Sequence, residues 1–208
     1  MFIHWIDLFG TAVFAIAGSL AAGRKQMDLF GVVVLALATA LGGGTMRDML
    51  LGAHPIFWVA DPTYVIVAVS ASIVTFVAAR YLRLPHQLLL LADALGLAFF
   101  TVLGTQRAEA AEAPTAVCII MGVMTGVAGG MIRDVLAGEV PLILRREIYA
   151  TASLAGAVVY VGMEAIVPGP VIAPLVAMVV ALALRLAAIR WNLSLPVFPS
   201  ERAGGNGA

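Results

Sequence analysis

Residues 42–52 read GGGTMRDMLLG, and residues 128–138 read AGGMIRDVLAG. The two stretches lie 86 positions apart (133 − 47), and the same offset aligns Asp7 with Asp93 without a gap. Because helix-breaking glycines and charged residues stand inside apolar segments of both copies, we expect function to lie at this motif of an internal duplication. Further pairs at this offset are Gly10 with Gly96, Phe14 with Phe100, Gly18 with Gly104 and Thr39 with Thr125.

Composition predicts a membrane protein. Hydrophobic residues make up 62% of the chain, charged residues 12%, and the mean hydropathy is +1.04, whereas soluble domains are about half apolar. A formal net charge of zero gives no basic surface that could bind nucleic acid. The single Cys118 predicts neither an intrachain disulfide nor a metal site. The sequence contains no His-Glu-x-x-His motif or Ser/His/Asp set, so we predict no enzyme and no cofactor.

Seven apolar segments are long enough to cross roughly 30 Å of hydrocarbon as helices of about 20 residues. No basic region or cleavage site precedes the first segment, so we expect it to be retained as a span. The stretch 191–208 is rich in Pro and Gly and predicts a disordered tail after a single transmembrane domain of residues 1–190. The predicted spans lie near residues 5–23, 29–50, 62–82, 87–106, 115–137, 147–167 and 170–190.

Basic residues are unevenly divided between the two sets of connections. Short cytoplasmic loops are enriched in Lys and Arg, so the bias predicts a multi-pass inner-membrane protein with its N-terminus outside and its C-terminus in the cytoplasm. The basic residues on the predicted cytoplasmic side are Arg24, Lys25, Arg80, Arg83, Arg145, Arg146, Arg185 and Arg190, against Arg107 on the other side.

The duplication groups the spans into two three-helix repeats, about 7–83 and 93–169, and leaves a seventh helix near 170–190 without a counterpart. An odd number of spans in each copy forces the copies into opposite orientations. The repeats are then inverted about an axis in the membrane plane. The sequence therefore predicts an all-α membrane fold of seven transmembrane helices.

The motif glycines are open to two interpretations. Adjacent glycines weaken a helix by roughly 1 kcal/mol each and free backbone carbonyls, which is tolerated at membrane depth where they are buried or line a water-filled path. Such carbonyls, with threonine hydroxyls, would offer oxygen ligands to a cation. Alternatively, the glycines only let helices approach closely. The candidate positions are Gly42, Gly43, Gly44, Gly129, Gly130, Thr39, Thr45 and Thr125.

The Arg-Asp pair of each motif needs partners, because charges inside a span cost several kcal/mol unless paired or hydrated. Sequence neighbours do not face each other on a helix, so Arg47 and Asp48 should not simply neutralise one another. Asp48 and Asp134 would then stay free to attract cations to the two mouths. In the alternative, the arginines extend to headgroups and the aspartates are solvated. The predicted ion pairs are Asp7–Arg47 and Asp93–Arg133.

The duplicated motif resembles that of the prokaryotic trimeric intracellular cation (TRIC) channels, whose sequences are also grouped under a glycine transporter domain label. The resemblance implies a homotrimer with an hourglass-shaped pore for monovalent cations, chiefly potassium, in each protomer. It implies that kinked second and fifth transmembrane helices line the pore and that lipid binds between protomers. The implied kinks are 42–44 and 129–130, and Ala128, which replaces Gly42 in the second copy, suggests a smaller bend there. The implied charged positions are Arg47, Asp48, Arg133 and Asp134.

Two functions remain open from the residues alone. A channel for potassium or sodium ions would use broken helices that meet near the midplane. A secondary transporter of a small amino acid such as glycine would use the same inverted repeats for alternating access.

Overall fold

The computed structural model describes residues 2–82, 85, 87–145 and 148–194, so Arg83, Arg146 and most of the predicted tail lie outside the described residues. Within these ranges the secondary structure is helical. The helices are α1 (Phe2–Arg24), α2 (Leu29–Leu51), α3 (Phe57–Ala60), α4 (Thr63–Tyr81), α5 (Leu88–Ala110), α6 (Thr115–Leu136), α7 (Ala150–Ile166) and α8 (Ile172–Trp191), with a 3-10 turn at Leu142–Leu144.

Six of these helices, α1, α2, α4, α5, α6 and α8, are long and apolar enough to cross a membrane. The seventh, α7, has 17 residues and at 1.5 Å per residue extends about 26 Å. It packs between α6 and α8. The predicted all-α fold of a multi-spanning membrane protein is confirmed, and α3 and the 3-10 turn are additions that the hydropathy pattern did not predict.

Each Arg-Asp motif ends its helix at a glycine. Gly52 closes α2 with a φ of 65°, a left-handed conformation in which its N–H bonds the carbonyls of Asp48 and Met49. Gly138 follows α6 with a φ of 68°. Glycine adopts this conformation without a Cβ penalty. The chain therefore turns at equivalent glycines of the two repeats, although α6 ends one residue earlier than α2. The chain then turns back into α3 in the first repeat and into the 3-10 turn in the second.

Reciprocal contacts relate the two repeats by an approximate two-fold axis. A Cβ at Gly10 would lie 3.5 Å from the Phe100 ring, and a Cβ at Gly96 would overlap the Phe14 ring. These two helices, α1 and α5, are the most deeply buried of the spans. Along these contacts the residue number increases on α1 while it decreases on α5, so the two helices run antiparallel. The repeats are therefore inverted. Helix α8 has no counterpart and packs against α5 and α7.

Following the predicted orientation, we call the end at which α1 begins the outer end and the opposite end the inner end. The C-terminus of α2 and the N-terminus of α4 then lie at the outer end. The C-terminus of α6 and the N-terminus of α7 lie at the inner end. The two Arg-Asp motifs are thus at opposite ends of the molecule.

Candidate functional site

Helices α2 and α6 cross through their glycines. A Cβ at Gly43 would overlap the carbonyl oxygen of Thr125, and a Cβ at Gly129 would overlap the carbonyl oxygen of Thr39. The contact is reciprocal and antiparallel, like that of α1 with α5. Only residues without a side chain allow two backbones to approach so closely. The close-approach interpretation of these glycines therefore describes their geometry at the crossing.

Both helices continue through the glycines without a break. The interruption that we inferred from the glycines is wrong, because a helix penalty of roughly 1 kcal/mol per glycine is small beside the packing that the crossing provides. A bend within the continuous helices stays a prediction. Of the other motif glycines, Gly42 faces an isoleucine side chain of α6, Gly44 the ring of Phe57, and Gly130 the hydroxyl of Tyr149.

The threonine hydroxyls point away from the crossing. Those of Thr39 and Thr125 each donate to the carbonyl four residues earlier at 2.6 Å. They face Gly18 of α1 and Gly104 of α5 respectively. The Thr45 hydroxyl also donates to a carbonyl of its own helix, at 2.7 Å, and accepts the indole N–H of Trp58 in α3 at 3.0 Å. These hydroxyls thus donate their protons within their own helices, and the oxygens at the crossing are backbone carbonyls. The role of the threonine oxygens as cation ligands stays a prediction.

The inner cluster consists of Asp93, Arg133, Asp134 and Tyr149. Arg133 is fully buried, with Nη1 at 2.6 Å from Asp93 Oδ1 and Nη2 at 2.9 Å from Asp134 Oδ1. The Tyr149 hydroxyl also donates to Asp93 Oδ1, at 3.3 Å. Asp134 Oδ2 accepts the backbone N–H of Leu142 at 2.9 Å. The predicted Asp93–Arg133 pair is present, and one guanidinium bridges two carboxylates.

The outer cluster consists of Asp7, Arg47, Asp48 and Tyr64. Arg47 is 2% exposed, with Nε at 2.8 Å and Nη2 at 2.7 Å from Asp48 Oδ1. Asp48 Oδ2 accepts the backbone N–H of Phe57 at 2.9 Å. The described ion pair of Arg47 thus involves only the aspartate of its own motif. Arg133 binds the aspartate of its motif and also Asp93.

Asp7 has other partners than the predicted one. Its Oδ2 accepts the Tyr64 hydroxyl at 2.9 Å and lies 3.9 Å from Nη2 of Arg107, a side chain that is 52% exposed. Between Asp7 and Arg47, which both belong to the described part of the chain, no ion pair is present within 4 Å. The predicted Asp7–Arg47 pair is wrong because Tyr64 occupies the carboxylate and the Arg47 guanidinium turns along its own helix to Asp48.

Asp48 and Asp134 are not free mouth charges. They are 5% and 8% exposed, and each bonds the preceding arginine and a backbone N–H of the following turn. Adjacent Cβ atoms diverge on a helix, but an arginine side chain is long enough to return to the next carboxylate. The other oxygen satisfies a donor at the start of the next turn, as an N-cap does.

Tyr64 and Tyr149 are functional candidates that the sequence reasoning missed. They lie 85 residues apart (149 − 64), and the offset of 86 pairs Tyr64 with Ala150 instead. The N–H donors of Phe57 and Leu142 are also 85 apart. The second repeat is thus one residue shorter after its motif, and an alignment with a single gap would have paired the tyrosines.

Two cavities lie on either side of the α2–α6 crossing. The outer cavity has a volume of about 420 Å³ and the inner cavity about 350 Å³. They share no lining residue, and most of their lining positions correspond through the repeat. The corresponding outer and inner pairs are Asp48 with Asp134, Leu51 with Ala137, Ala53 with Glu139, Arg107 with Ala21, Ala110 with Arg24 and Ala111 with Lys25.

The inner mouth carries an exposed ion network. Lys25 Nζ lies 2.5 Å and Arg145 Nη2 3.3 Å from the two oxygens of Glu139. The Lys25 hydrogen bond lowers the pKa of Glu139 below its usual value. At the outer mouth, the positions that correspond to Glu139 and Lys25 are Ala53 and Ala111. Of these two corresponding pairs of positions, only the inner one can form a salt bridge.

The sequence model of the family described as "Glycine transporter" matches residues 4–80 and 90–165, which are the two repeats. The chain belongs to this family. Relatives include the inner membrane protein YadS of Escherichia coli K12, 50% identical over 206 residues that cover 98% of this chain and all of the relative. A membrane protein of Vibrio cholerae is 46% identical over 197 residues, covering 94% of this chain and 82% of the relative.

Solved structures of TRIC channels superpose on the whole fold of this family member. The TRIC orthologue from Rhodobacter sphaeroides is 41% identical, with a TM-score of 0.88 over 92% of this chain and 98% of its own. A prokaryotic TRIC channel in 0.5 M KCl is 31% identical, with a TM-score of 0.87 over 94% of this chain and 99% of its own. The resemblance to the prokaryotic TRIC channels that the duplicated motif indicated is confirmed.

Proposed function

We propose that the protein is a homotrimeric channel for monovalent cations, chiefly potassium, with one pathway in each protomer. The observation that carries the proposal is the pair of corresponding cavities at opposite ends of the α2–α6 crossing. Each cavity is lined by the aspartate of an Arg-Asp motif. Similarity to the trimeric intracellular cation channel orthologue of Rhodobacter sphaeroides supports the same function.

The pathway would run along the α2–α6 crossing. There the carbonyl oxygens of Thr39 and Thr125 face glycines instead of side chains, so a small separation of the helices would expose backbone oxygen to a passing cation. Carbonyl oxygens can replace part of the hydration shell of a cation. We assign the packed conformation to a closed state. Opening would separate the helices without breaking either one.

Cation preference would arise at the crossing rather than at the mouths. Asp48 and Asp134 are already bonded to arginines, and the inner cavity is lined by Arg24, Lys25 and Arg145 as well as by acidic residues. Because basic and acidic side chains stand together at the inner mouth, their summed charge would attract cations only weakly. Neutral oxygens at the crossing do not have this limitation.

Recording from the purified protein in planar bilayers tests the proposal. A gradient of potassium chloride across the bilayer separates the two ions by their reversal potentials. We expect discrete unitary currents that reverse near the potassium equilibrium potential. Currents that reverse at the chloride potential, or no unitary currents in an intact trimer, would contradict a cation channel.

A transporter of a small amino acid is the second candidate, because the matching family model is described as a glycine transporter. Inverted repeats equally suit alternating access. Uptake of labelled glycine into liposomes distinguishes the two functions. Saturable, slow uptake without unitary currents favours the transporter, whereas unitary potassium currents without glycine uptake favour the channel.

The assembly and its surroundings belong to the same proposal. We expect a trimer in the inner membrane with its N-terminus outside, bound lipid between protomers and no cofactor. The name of the Escherichia coli relative, an inner membrane protein, supports this location. Native mass spectrometry checks the assembly, which should contain three chains and retained phospholipid.

A further inference from the structure

We propose that Arg185 of α8 is a positioning residue that holds Tyr149 on Asp93 and thereby sets how often the inner end opens. The inference rests on the proposed function. It gives the seventh transmembrane helix, which the duplication leaves without a counterpart, control over one end of the pathway only.

Arg185 lies inside an apolar helix, six residues before its last residue, Trp191. The side chain is 0% exposed. Its Nη1 donates to the carbonyl oxygen of Ile148 at 3.3 Å, and its Cζ lies 4.8 Å from the centroid of the Tyr149 ring. One guanidinium therefore contacts both residues that precede α7, one through the backbone and one through the ring.

A buried guanidinium in a span is costly, and its partners usually identify its role. Two of these partners, the backbone of Ile148 and the ring of Tyr149, lie where they place the Tyr149 hydroxyl. A cation over the face of a tyrosine ring is attracted by the ring quadrupole. The contact thus supports the face of the ring whose hydroxyl bonds Asp93.

The Tyr149 hydroxyl bond to Asp93 is 3.3 Å long, compared with 2.9 Å for the corresponding Tyr64–Asp7 bond. At 3.3 Å the O–H···O bond is longer than the usual range and therefore weak, so a shift of the ring breaks it easily. If the ring of Tyr149 moved away, Asp93 Oδ1 would keep Arg133 as its remaining partner among those described above. The inner cluster would then be freer to rearrange.

The outer tyrosine has different neighbours. The ring of Tyr64 is packed edge-on against Phe57 at 4.8 Å and His4 at 5.8 Å between centroids. These neighbours come from α1 and α3 of the same repeat rather than from a helix outside it. Within the described residues the arginine contact over a motif tyrosine is found at the inner end alone.

The central experiment compares Arg185→Met with wild-type protein in single-channel recordings. We expect the open probability to rise roughly thirtyfold, the factor that corresponds to loss of a desolvated cation–π contact, while the unitary conductance stays unchanged. Arg185→Lys keeps a cation but loses the planar fork and should give an intermediate open probability. Arg190→Met on the exposed end of the same helix is the matched control and should behave like wild type.

Two further measurements separate positioning from general damage. In a Tyr149→Phe background, Arg185→Met should add no further change in open probability, because both substitutions act through the same hydroxyl. Hydrogen–deuterium exchange of residues 148–155 should be faster in Arg185→Met and unchanged in Arg190→Met. The exchange measurement does not depend on ion conduction.

The outcomes distinguish this inference from the proposed function. Wild-type trimers that carry no cation current would overturn the proposed function. Conducting wild-type trimers with an unchanged open probability in Arg185→Met, or with additive effects of Arg185→Met and Tyr149→Phe, would overturn this inference alone. If Arg185→Met does not assemble, Arg185→Lys and Tyr149→Phe carry the same comparison.

Discussion

The outer and inner clusters derive from one duplicated motif but differ in how their charges are shared. At the inner end Arg133 bridges Asp93 and Asp134, and it has no exposed surface. At the outer end the ion pair of Arg47 within the described residues is with one carboxylate, that of Asp48. Asp7 there relies on Tyr64 and a distant, half-exposed Arg107.

The difference shows that the repeat determines the scaffold and that the unmatched parts determine the electrostatics. Helix α8 covers α5 and α7 and brings Arg185 to the inner end, whereas the end of α5 brings the half-exposed Arg107 to the outer end. The identical residues of the two clusters are buried at both ends, so the ends differ in how the charges are shared and not in exposure. We expect the two ends to respond differently to the same substitution.

The largest contrast should come from the two motif arginines. Arg133→Met leaves two buried carboxylates without their shared partner and should destabilise by roughly 3–5 kcal/mol. Arg47→Met leaves one buried carboxylate and should cost less, roughly 3 kcal/mol at the low end of the same range. Unfolding in detergent, followed by tryptophan fluorescence, measures both. Adding Asp93→Asn to Arg133→Met should recover part of the loss, and equal or reversed effects of the two arginines would contradict the comparison.

A symmetric effect should come from the crossing glycines. Gly43→Ala and Gly129→Ala each place a Cβ on a backbone carbonyl, which the helices can relieve only by separating, and should cost about 2–3 kcal/mol each. Gly23→Ala, with open space around it, is the control and should be neutral or slightly stabilising. Melting temperatures in detergent provide the test. A tolerated Gly43→Ala would show that the helices are not locked at this point.

For the two tyrosines we expect the larger loss of stability at the outer end, which is the reverse of the order for the arginines. Tyr64→Phe removes the closest described partner of Asp7 and should cost about 2 kcal/mol. Tyr149→Phe leaves Arg133 on Asp93 and should cost about 1 kcal/mol. The same unfolding assay decides the order. A greater loss in Tyr149→Phe would contradict the assignment of Arg133 as the main support of Asp93.

The smallest effect should come from the inner mouth. Glu139→Gln breaks the exposed pairs with Lys25 and Arg145, and exposed pairs contribute little because water and salt screen them. We expect no measurable change in melting temperature at physiological salt. Ala53→Gln at the corresponding outer position is the control. A clear loss of stability in Glu139→Gln alone would mean that the network supports the fold and not only the mouth.

Much of the scaffold follows from sequence. The long apolar helices follow from hydropathy, and the inversion follows from an odd number of spans in each copy. Matched repeat positions predict the Asp93–Arg133 pair correctly but not the Asp7–Arg47 pair. These features depend on patterns that extend over many residues. Local partners depend on a few atoms and are less predictable.

The wrong predictions share this local origin. Asp48 and Asp134 are buried because the turn after each helix folds back and donates a backbone N–H to each of them. No residue type in the sequence predicts this turn. The one-residue difference between repeats concealed Tyr64 and Tyr149. Packing at the crossing outweighs the low helix propensity of Gly43, so α2 continues through its glycines.

The central claim is that the outer and inner cavities are two ends of one ion pathway. Cysteines at the corresponding positions Ala53→Cys and Glu139→Cys, in a Cys118→Ala background, can be modified by a membrane-impermeant cationic thiol reagent during single-channel recording. We predict that the reagent reduces the unitary potassium current of Ala53→Cys from one side of the bilayer and that of Glu139→Cys from the opposite side. Currents that stay unchanged after complete modification, or that fall from the same side in both variants, would contradict the claim.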